Sequence, residues 1–434
     1  MTTFRAERRT TTGRPARAHA SANTPRAKDL RMNPPPAPAL AVRPYFDPFD
    51  PALHTGPYAR YAAARESAAL CEGPHGMTVV TRHAEVSQAL RDSRLGHGPL
   101  TAPNRIFSFL GMDPPDHGPL RRVASRFFSP AAVSALAPRI ATLVDDLLDR
   151  ALEKQHVDLL SDFAYPLSLR VICGLFALPE DEQPWIRKQT PPIARLLDPP
   201  YALADHDMAA AHRAGAGFVA YLHRKINDRR RHPGPDALSA LIAEADSGPG
   251  SALTRHSLLP LSALLLMAGY ETTANIITNG ALALLRHPDQ LAIARSRGED
   301  GRLDSGTMNE LLRYDSSIQI TFRTVQRPAV IADTPLRRGT PVALLIGSAN
   351  HDPRVFARPE RLDINRAHNP HLSFGAGIHY CLGAPLARLE ASLALGRLLA
   401  RTRGIETAHD MVRHKDVTAT IRGVTALPVT LTAA

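Results

Sequence analysis

A cysteine sits in the glycine-rich run Phe374-Gly375-Ala376-Gly377-Ile378-His379-Tyr380-Cys381-Leu382-Gly383, and a strongly helical stretch, Ala384 to Ala400, begins directly after it. Glycine lets backbone pass where a side chain would collide, and it accepts positive φ. The start of the following helix points N–H groups and partial positive charge back at the sulfur. Such surroundings favour thiolate over thiol. A thiolate held rigid in a nest of N–H groups is what an iron-ligating cysteine needs. As a lone Cys beside two glycines, Cys381 would read instead as a buried turn residue. A second chemical pair lies upstream, where Glu271 and Thr272 interrupt an apolar stretch in Ala268-Gly269-Tyr270-Glu271-Thr272-Thr273.

These residues need elements to hold them. Leu258 to Leu285 reads as one long buried helix. Polar residues inside such a helix cost stability unless satisfied. Thr272 is placed to donate to the carbonyl of Ala268, which bends helices, and Gly269 weakens the same turn. The stretch therefore predicts a kink with a hydroxyl and a carboxylate beside it. A polar patch facing water is an equal reading of these residues alone. His117 and Arg121, four apart, share one helix face after Pro114-Pro115, and a solvated basic helix with Arg122 and Arg126 is the plainer alternative. Glu310-Leu311-Leu312-Arg313 has ion-pair spacing. Gln319 to Thr324 reads as a strand carrying Arg323. Helices are expected over Tyr58–Ala69, Ala84–Asp92 and Asp207–Arg231, with a strand over Met77–Thr81. Residues 131–178 read as two helices broken near Lys154–Val157. Trp185 to Asp198 is amphipathic but interrupted by Pro191-Pro192, and Arg94 to Phe109 is loop-like.

In this order and spacing the chain resembles the cytochrome P450 family, in its soluble bacterial branch, along most of its length. The resemblance implies a mainly α fold with a smaller β lobe and a long kinked central helix over a buried heme. It implies a heme-thiolate monooxygenase that uses heme b (iron protoporphyrin IX). Cys381 would be the thiolate on iron, with Phe374, Gly375, His379 and Gly383 shaping its loop. His117, Arg121, Arg323 and His379 would bond the propionates. Ala268 and Gly269 would leave room for O2, Thr272 would be the oxygen-stabilising hydroxyl and Glu271 the proton relay. An anionic sulfur pushes electron density onto iron and favours O–O cleavage. Glu310 and Arg313 resemble the family's core pair, whose third partner would be Arg361. The chain departs from the family pattern at Asp116 for Glu, Leu362 for Phe, Met308-Asn309 for Val-Glu, and His351 where Arg is common.

Length and composition agree with this. The 434 residues suffice to bury a bulky cofactor and carry a subsidiary lobe. Three scattered cysteines, Cys71, Cys173 and Cys381, argue against a disulfide framework and fit a reducing cytosol, so a cytoplasmic location is expected. Six of the 11 net positive charges fall in residues 1–35. Residues 1–43 are expected to be a disordered basic tail, with one monooxygenase domain over 44–434. A nucleic-acid role resting on that tail is weak. No run of 18 apolar residues exists, so no membrane anchor is expected. No Gly-x-Gly-x-x-Gly opens a helix and no Walker-type loop is present. Electrons would therefore come from a separate ferredoxin and ferredoxin reductase, and a monomer is expected. The substrate would be a hydrophobic small molecule such as a polyketide, terpenoid or fatty-acyl intermediate. Rival readings are a peroxygenase, which usually lacks the acid–alcohol pair, an aromatic-coupling enzyme, and a non-catalytic heme protein.

Overall fold

The computed structural model of the chain describes residues 43–98, 108–248, 250–298, 300–407 and 412–434. The tail expected over residues 1–43 falls almost wholly outside them, as do residues 99–107 of the expected loop. Helices dominate the described residues. They are α1 (Ala52–Thr55), α2 (Pro57–Ser67), α3 (His83–Arg91), α4 (His117–Ser125), α5 (Pro130–Lys154), α6 (Tyr165–Leu175), α7 (Gln183–Ala194) and α8 (Asp205–Arg231). After these come α9 (Ala237–Asp246), α10 (Arg255–Ala268), α11 (Glu271–Leu285), α12 (Pro288–Ser296), α13 (Ser305–Tyr314), α14 (Ile346–Ala349) and α15 (Ala384–Arg401). No single helix among them is long and apolar enough to cross a membrane.

Among the described residues the smaller β part has three sheets. The largest runs β1 (Leu70–Glu72), β2 (Thr78–Val80), β8 (Pro341–Leu345), β5 (Ile320–Val325) and β3 (Leu95–Gly96) in spatial order. Only the β2–β8 pairing in it is parallel. The second sheet places β10 (Pro428–Ala433) between β4 (His156–Asp158) and β9 (Thr402–Glu406), and β6 (Ala329–Ile331) pairs with β7 (Thr334–Leu336). β3, which the sequence reading took as loop, is a two-residue edge pairing against Thr324 and Val325.

The central helix is not merely bent. It stops at Ala268 and restarts at Glu271, with Gly269 and Tyr270 between. Thr272 Oγ1 donates to the Ala268 carbonyl at 3.1 Å and Thr273 Oγ1 to the Gly269 carbonyl at 3.0 Å. The hydroxyls thus take up carbonyls that the missing turn leaves free. A Cβ at Gly269 would stand 2.9 Å from the side chain of Ile172, so α6 closes tightly against the break.

α7 corrects the reading of Pro191-Pro192 as an interruption, because the helix runs through both prolines to Ala194. Neither ring has an N–H to return to the preceding turn. The carbonyl of Arg187, freed in this way, accepts from Tyr270 Oη at 3.4 Å. A helix that packs along α8 is thereby tied to the break in the central helix.

Candidate active site

The cysteine loop hangs from a buried ionic core. Glu310 and Arg313 are both fully buried, and the carboxylate accepts Arg313 Nη2 at 2.7 Å and Nε at 2.8 Å. The third member is Arg366, whose Nε lies 3.0 Å from Glu310 Oε2. The expectation of Arg361 is therefore corrected. Arg361 is exposed and offers only its backbone carbonyl, to Arg313 Nη2 at 3.0 Å. Arg313 Nη1 also donates to the Asn350 carbonyl at 3.0 Å. The Asn350 amide in turn receives Leu372 N at 2.7 Å and donates to Ser373 Oγ at 2.9 Å. The two residues before Phe374 are fixed in this way.

From there the loop turns back on itself. Gly375 N donates to the Leu372 carbonyl at 2.7 Å, and Cys381 N to the Phe374 carbonyl at 2.8 Å. Gly375 and Gly377 have φ of 70° and 68°, where a side chain is strained. A Cβ on Gly377 would also stand 2.5 Å from the Leu90 carbonyl oxygen at the end of α3. The Phe374 ring lies under the Arg388 guanidinium at 5.0 Å.

Cys381 sits just before α15, and the N–H groups of Gly383 and Ala384 are aimed at its sulfur. These and the Arg121 charge favour thiolate, but burial outweighs them and pushes the thiol up. The expectation that the loop alone favours thiolate is corrected, because a dehydrated sulfur loses more than the backbone dipoles return. A metal cation would supply the remaining stabilisation. Among the described residues no group of three or more His, Cys, Asp or Glu could hold a metal ion.

The groups converging near the loop fit an anionic ring edge. Arg121 Nη2 donates to the Tyr380 carbonyl at 2.5 Å. His117 and His379 lie 4.5 Å apart between ring centroids. His97 is 4.9 Å from His379, a residue the sequence reading missed inside its loop. The Nε2 atoms of His97, His117 and His379 are all buried with no hydrogen-bond partner among the described residues. Such orphans in a native site call for an absent partner. Burial lowers all three imidazoles, His379 to about 3, so each is a neutral ring. Arg323 is 7 % exposed, and its bonds go to the neutral oxygens of Thr321 at 3.1 Å and Phe322 at 2.7 Å. Burial pushes this guanidinium down to about 10, the mark of a cation without a full counter-charge. Two guanidinium groups and three imidazoles match two carboxylates in charge and in donors. Asp113 positions His97 by accepting His97 N at 3.0 Å and Gly98 N at 3.0 Å. Spacing gave no signal for that pairing.

Glu271 and Thr272 open α11. Glu271 is 5 % exposed. Its Oε1 faces Lys415 Nζ at 3.4 Å, while Oε2 is buried with no partner among the described residues. Ala268 closes α10 and Gly269 packs on α6, so the acid, the alcohol and the two small residues occupy one break.

A mainly helical fold with this cysteine loop and this donor set fits a heme enzyme. A sequence model of the cytochrome P450 family matches residues 305–420. Cytochrome P450 107B1 of Saccharopolyspora erythraea is 35 % identical over 405 residues, covering 88 % of this chain and 96 % of its own. Cytochrome P450 monooxygenase PikC of Streptomyces venezuelae is 37 % identical over 347 residues, 78 % of this chain and 80 % of PikC. Among solved structures, CalO2 aligns with a TM-score of 0.81 at 34 % identity, over 89 % of this chain and 99 % of that one. P450BioI, solved with an acyl carrier protein bearing hexadec-9Z-enoic acid, gives 0.81 at 32 % identity over 88 % and 100 %. The chain belongs to the cytochrome P450 family, and it is a monooxygenase of the oxidoreductase class with a heme cofactor.

Proposed function

We propose that this enzyme inserts one oxygen atom from O2 into a hydrophobic small molecule of secondary metabolism. The observation that carries this is the acid–alcohol pair at the helix break, with one Glu271 oxygen unbonded. The heme supplies oxygen activation and the electron-rich iron that a thiolate gives. The chain's own residues do the rest. Cys381 holds the iron. Arg121, Arg323, His97, His117 and His379 hold the propionates of heme b, while Phe374, Gly375 and Gly383 shape the loop. Ala268 leaves room beside the ring, while Gly269 admits Ile172 of α6 at the break. The Thr272 hydroxyl gives its hydrogen to the Ala268 carbonyl and would offer its oxygen as an acceptor beside the ring, and Glu271 Oε2 would hold and pass the proton. A peroxygenase would need neither group. The reading includes a monomer in the cytoplasm, fed by a ferredoxin and its reductase, with residues 1–43 outside the catalytic domain. Arg126 is paired with Glu244 at 2.8 Å, so exposed Arg122 is the better candidate to meet an acidic donor. Solved relatives such as PksS of a bacillaene polyketide synthase and the tirandamycin C-bound monooxygenase TamI support the substrate class.

The test is a spin-shift screen of apolar compounds on the heme-loaded protein, then turnover of the binders with NADPH, ferredoxin and reductase under 18O2. A product carrying one labelled oxygen is expected. Product formed only when peroxide replaces the electron donors, and then without label from 18O2, would overturn the reading.

A further inference from the structure

Glu271 is gripped from an unexpected side. Residues 412–425 fold as a hairpin, in which Lys415 N donates to the Gly423 carbonyl at 2.9 Å and Thr425 N to the Arg413 carbonyl at 2.8 Å. The hairpin presses on α11. A Cβ on Gly423 would overlap the Asn275 side chain, so only glycine allows the approach. Lys415 points its ammonium inward, and its side chain is 12 % exposed. The three donors of that group have three acceptors: Tyr165 Oη at 2.5 Å, Asn275 Oδ1 at 3.1 Å and Glu271 Oε1 at 3.4 Å. The Nζ also stands 4.9 Å over the Tyr165 ring, on which the Arg187 guanidinium of α7 lies at 4.5 Å. Of these two cations, Lys415 is the one bonded to Glu271.

The tip of the hairpin is clasped by a single carboxylate. Asp198, four residues past the end of α7, is 6 % exposed. It accepts Thr418 Oγ1 at 2.8 Å, Ala419 N at 2.8 Å, Thr420 N at 3.1 Å and Thr420 Oγ1 at 2.8 Å. Four neutral donors satisfy this buried anion. A clasp three residues from Lys415 fixes where its side chain starts.

We propose that Lys415 is the positioning residue for Glu271, held by the hairpin that Asp198 clasps. It pins Oε1 and leaves Oε2 to carry the proton. This rests on the reading of Glu271 as proton relay. Two electrons and two protons convert O2 to peroxide, whereas four of each convert it to two waters. The electrons come from NADPH through a ferredoxin. Slower proton delivery therefore shows as peroxide.

The heme-loaded full chain is fed NADPH through a ferredoxin and its reductase without substrate, and peroxide formed per NADPH is measured. Positioned proton transfer contributes roughly a hundredfold or more. K415M is thus expected to raise the peroxide-to-water ratio about tenfold, with K415R restoring most of it. The crystal structure of heme-loaded K415M is expected to show the Glu271 carboxylate turned away from Asn275. E271Q is the control. If E271Q leaves the ratio unchanged, the relay reading itself fails. If E271Q raises the ratio while K415M changes only the melting temperature, Lys415 is structural and the proposal is overturned. K415Q, which keeps a donor without the charge, carries the same comparison should K415M not fold. D198A is expected to shift the ratio in the same direction by a smaller factor, and no shift would remove the clasp from the proposal.

Discussion

Replacing Arg366 by Met tests which cation completes the buried core beneath the cysteine loop. Glu310 receives five donors: two from Arg313, one from Arg366 at 3.0 Å, Asn369 Nδ2 at 2.9 Å and Asp363 N at 2.9 Å. R366M removes one charge-assisted bond, worth about 1.5–3 kcal/mol. It also removes the bond from Arg366 to the Ala357 carbonyl at 3.0 Å and the cation's place 5.9 Å from the Phe356 ring. Arg313 still neutralises the carboxylate, so the loss is expected at about 2–3 kcal/mol. E310Q is worse, because it strands two buried guanidinium groups, at about 3–5 kcal/mol. R361M keeps the carbonyl that Arg313 uses and is expected to lie within about 0.5 kcal/mol of wild type. Urea unfolding of the heme-loaded proteins at one pH, followed by circular dichroism, ranks the three. R361M costing as much as R366M would refute the assignment of Arg366 as the second cation. The same series read by heme content shows whether the loop depends on this core, since Asn350 links Arg313 to Leu372 and Ser373.

Two further outcomes follow from the buried cations and rings. R323Q removes a guanidinium whose present partners are neutral, and heme transfer to apomyoglobin is expected to quicken about tenfold or more, as loss of a charged hydrogen bond of about 1.5–3 kcal/mol requires; an unchanged transfer rate would place Arg323 away from the propionates. His351 is buried, with Nε2 donating to the Tyr314 carbonyl at 2.8 Å, and burial holds its ionisation down at about 3 against 6.5 for a free ring. Below pH 6.5 the unfolded chain therefore binds a proton that the folded chain refuses, and stability present above that pH drains as the pH falls toward 3, by up to about 1.4 kcal/mol per pH unit. H351Q is expected to flatten the pH dependence of the urea midpoint by that one proton, and an identical slope would show that the ring titrates freely.

What could be seen in the sequence was what neighbours in the chain decide. Gly269 and the Thr272 hydroxyl four residues from Ala268 are local, so the break in the central helix was legible, down to the carbonyl that the hydroxyl bonds. The cysteine loop was legible because its turns use glycines at fixed offsets. Arg366 was not, because several arginines follow α13 and only the folded path decides which guanidinium reaches Glu310. His97 was hidden in a stretch with no periodicity, where Asp113, sixteen residues away, sets its direction. Lys415 and Asp198 act across the fold on Glu271 and Thr418–Thr420, and no spacing rule connects them. Pro191-Pro192 misled in the opposite sense. The helix runs on through both rings, and one of the carbonyls they free found Tyr270.

The central claim is that Cys381 binds heme iron as thiolate although burial alone pushes its thiol up. The purified protein is reduced with dithionite under carbon monoxide and its spectrum recorded beside that of C381H. Wild type is expected to show the red-shifted Soret band of thiolate ligation, and C381H to bind heme with the band displaced to the blue. Bound heme without the red-shifted band in wild type, or the same band in C381H, would contradict the account.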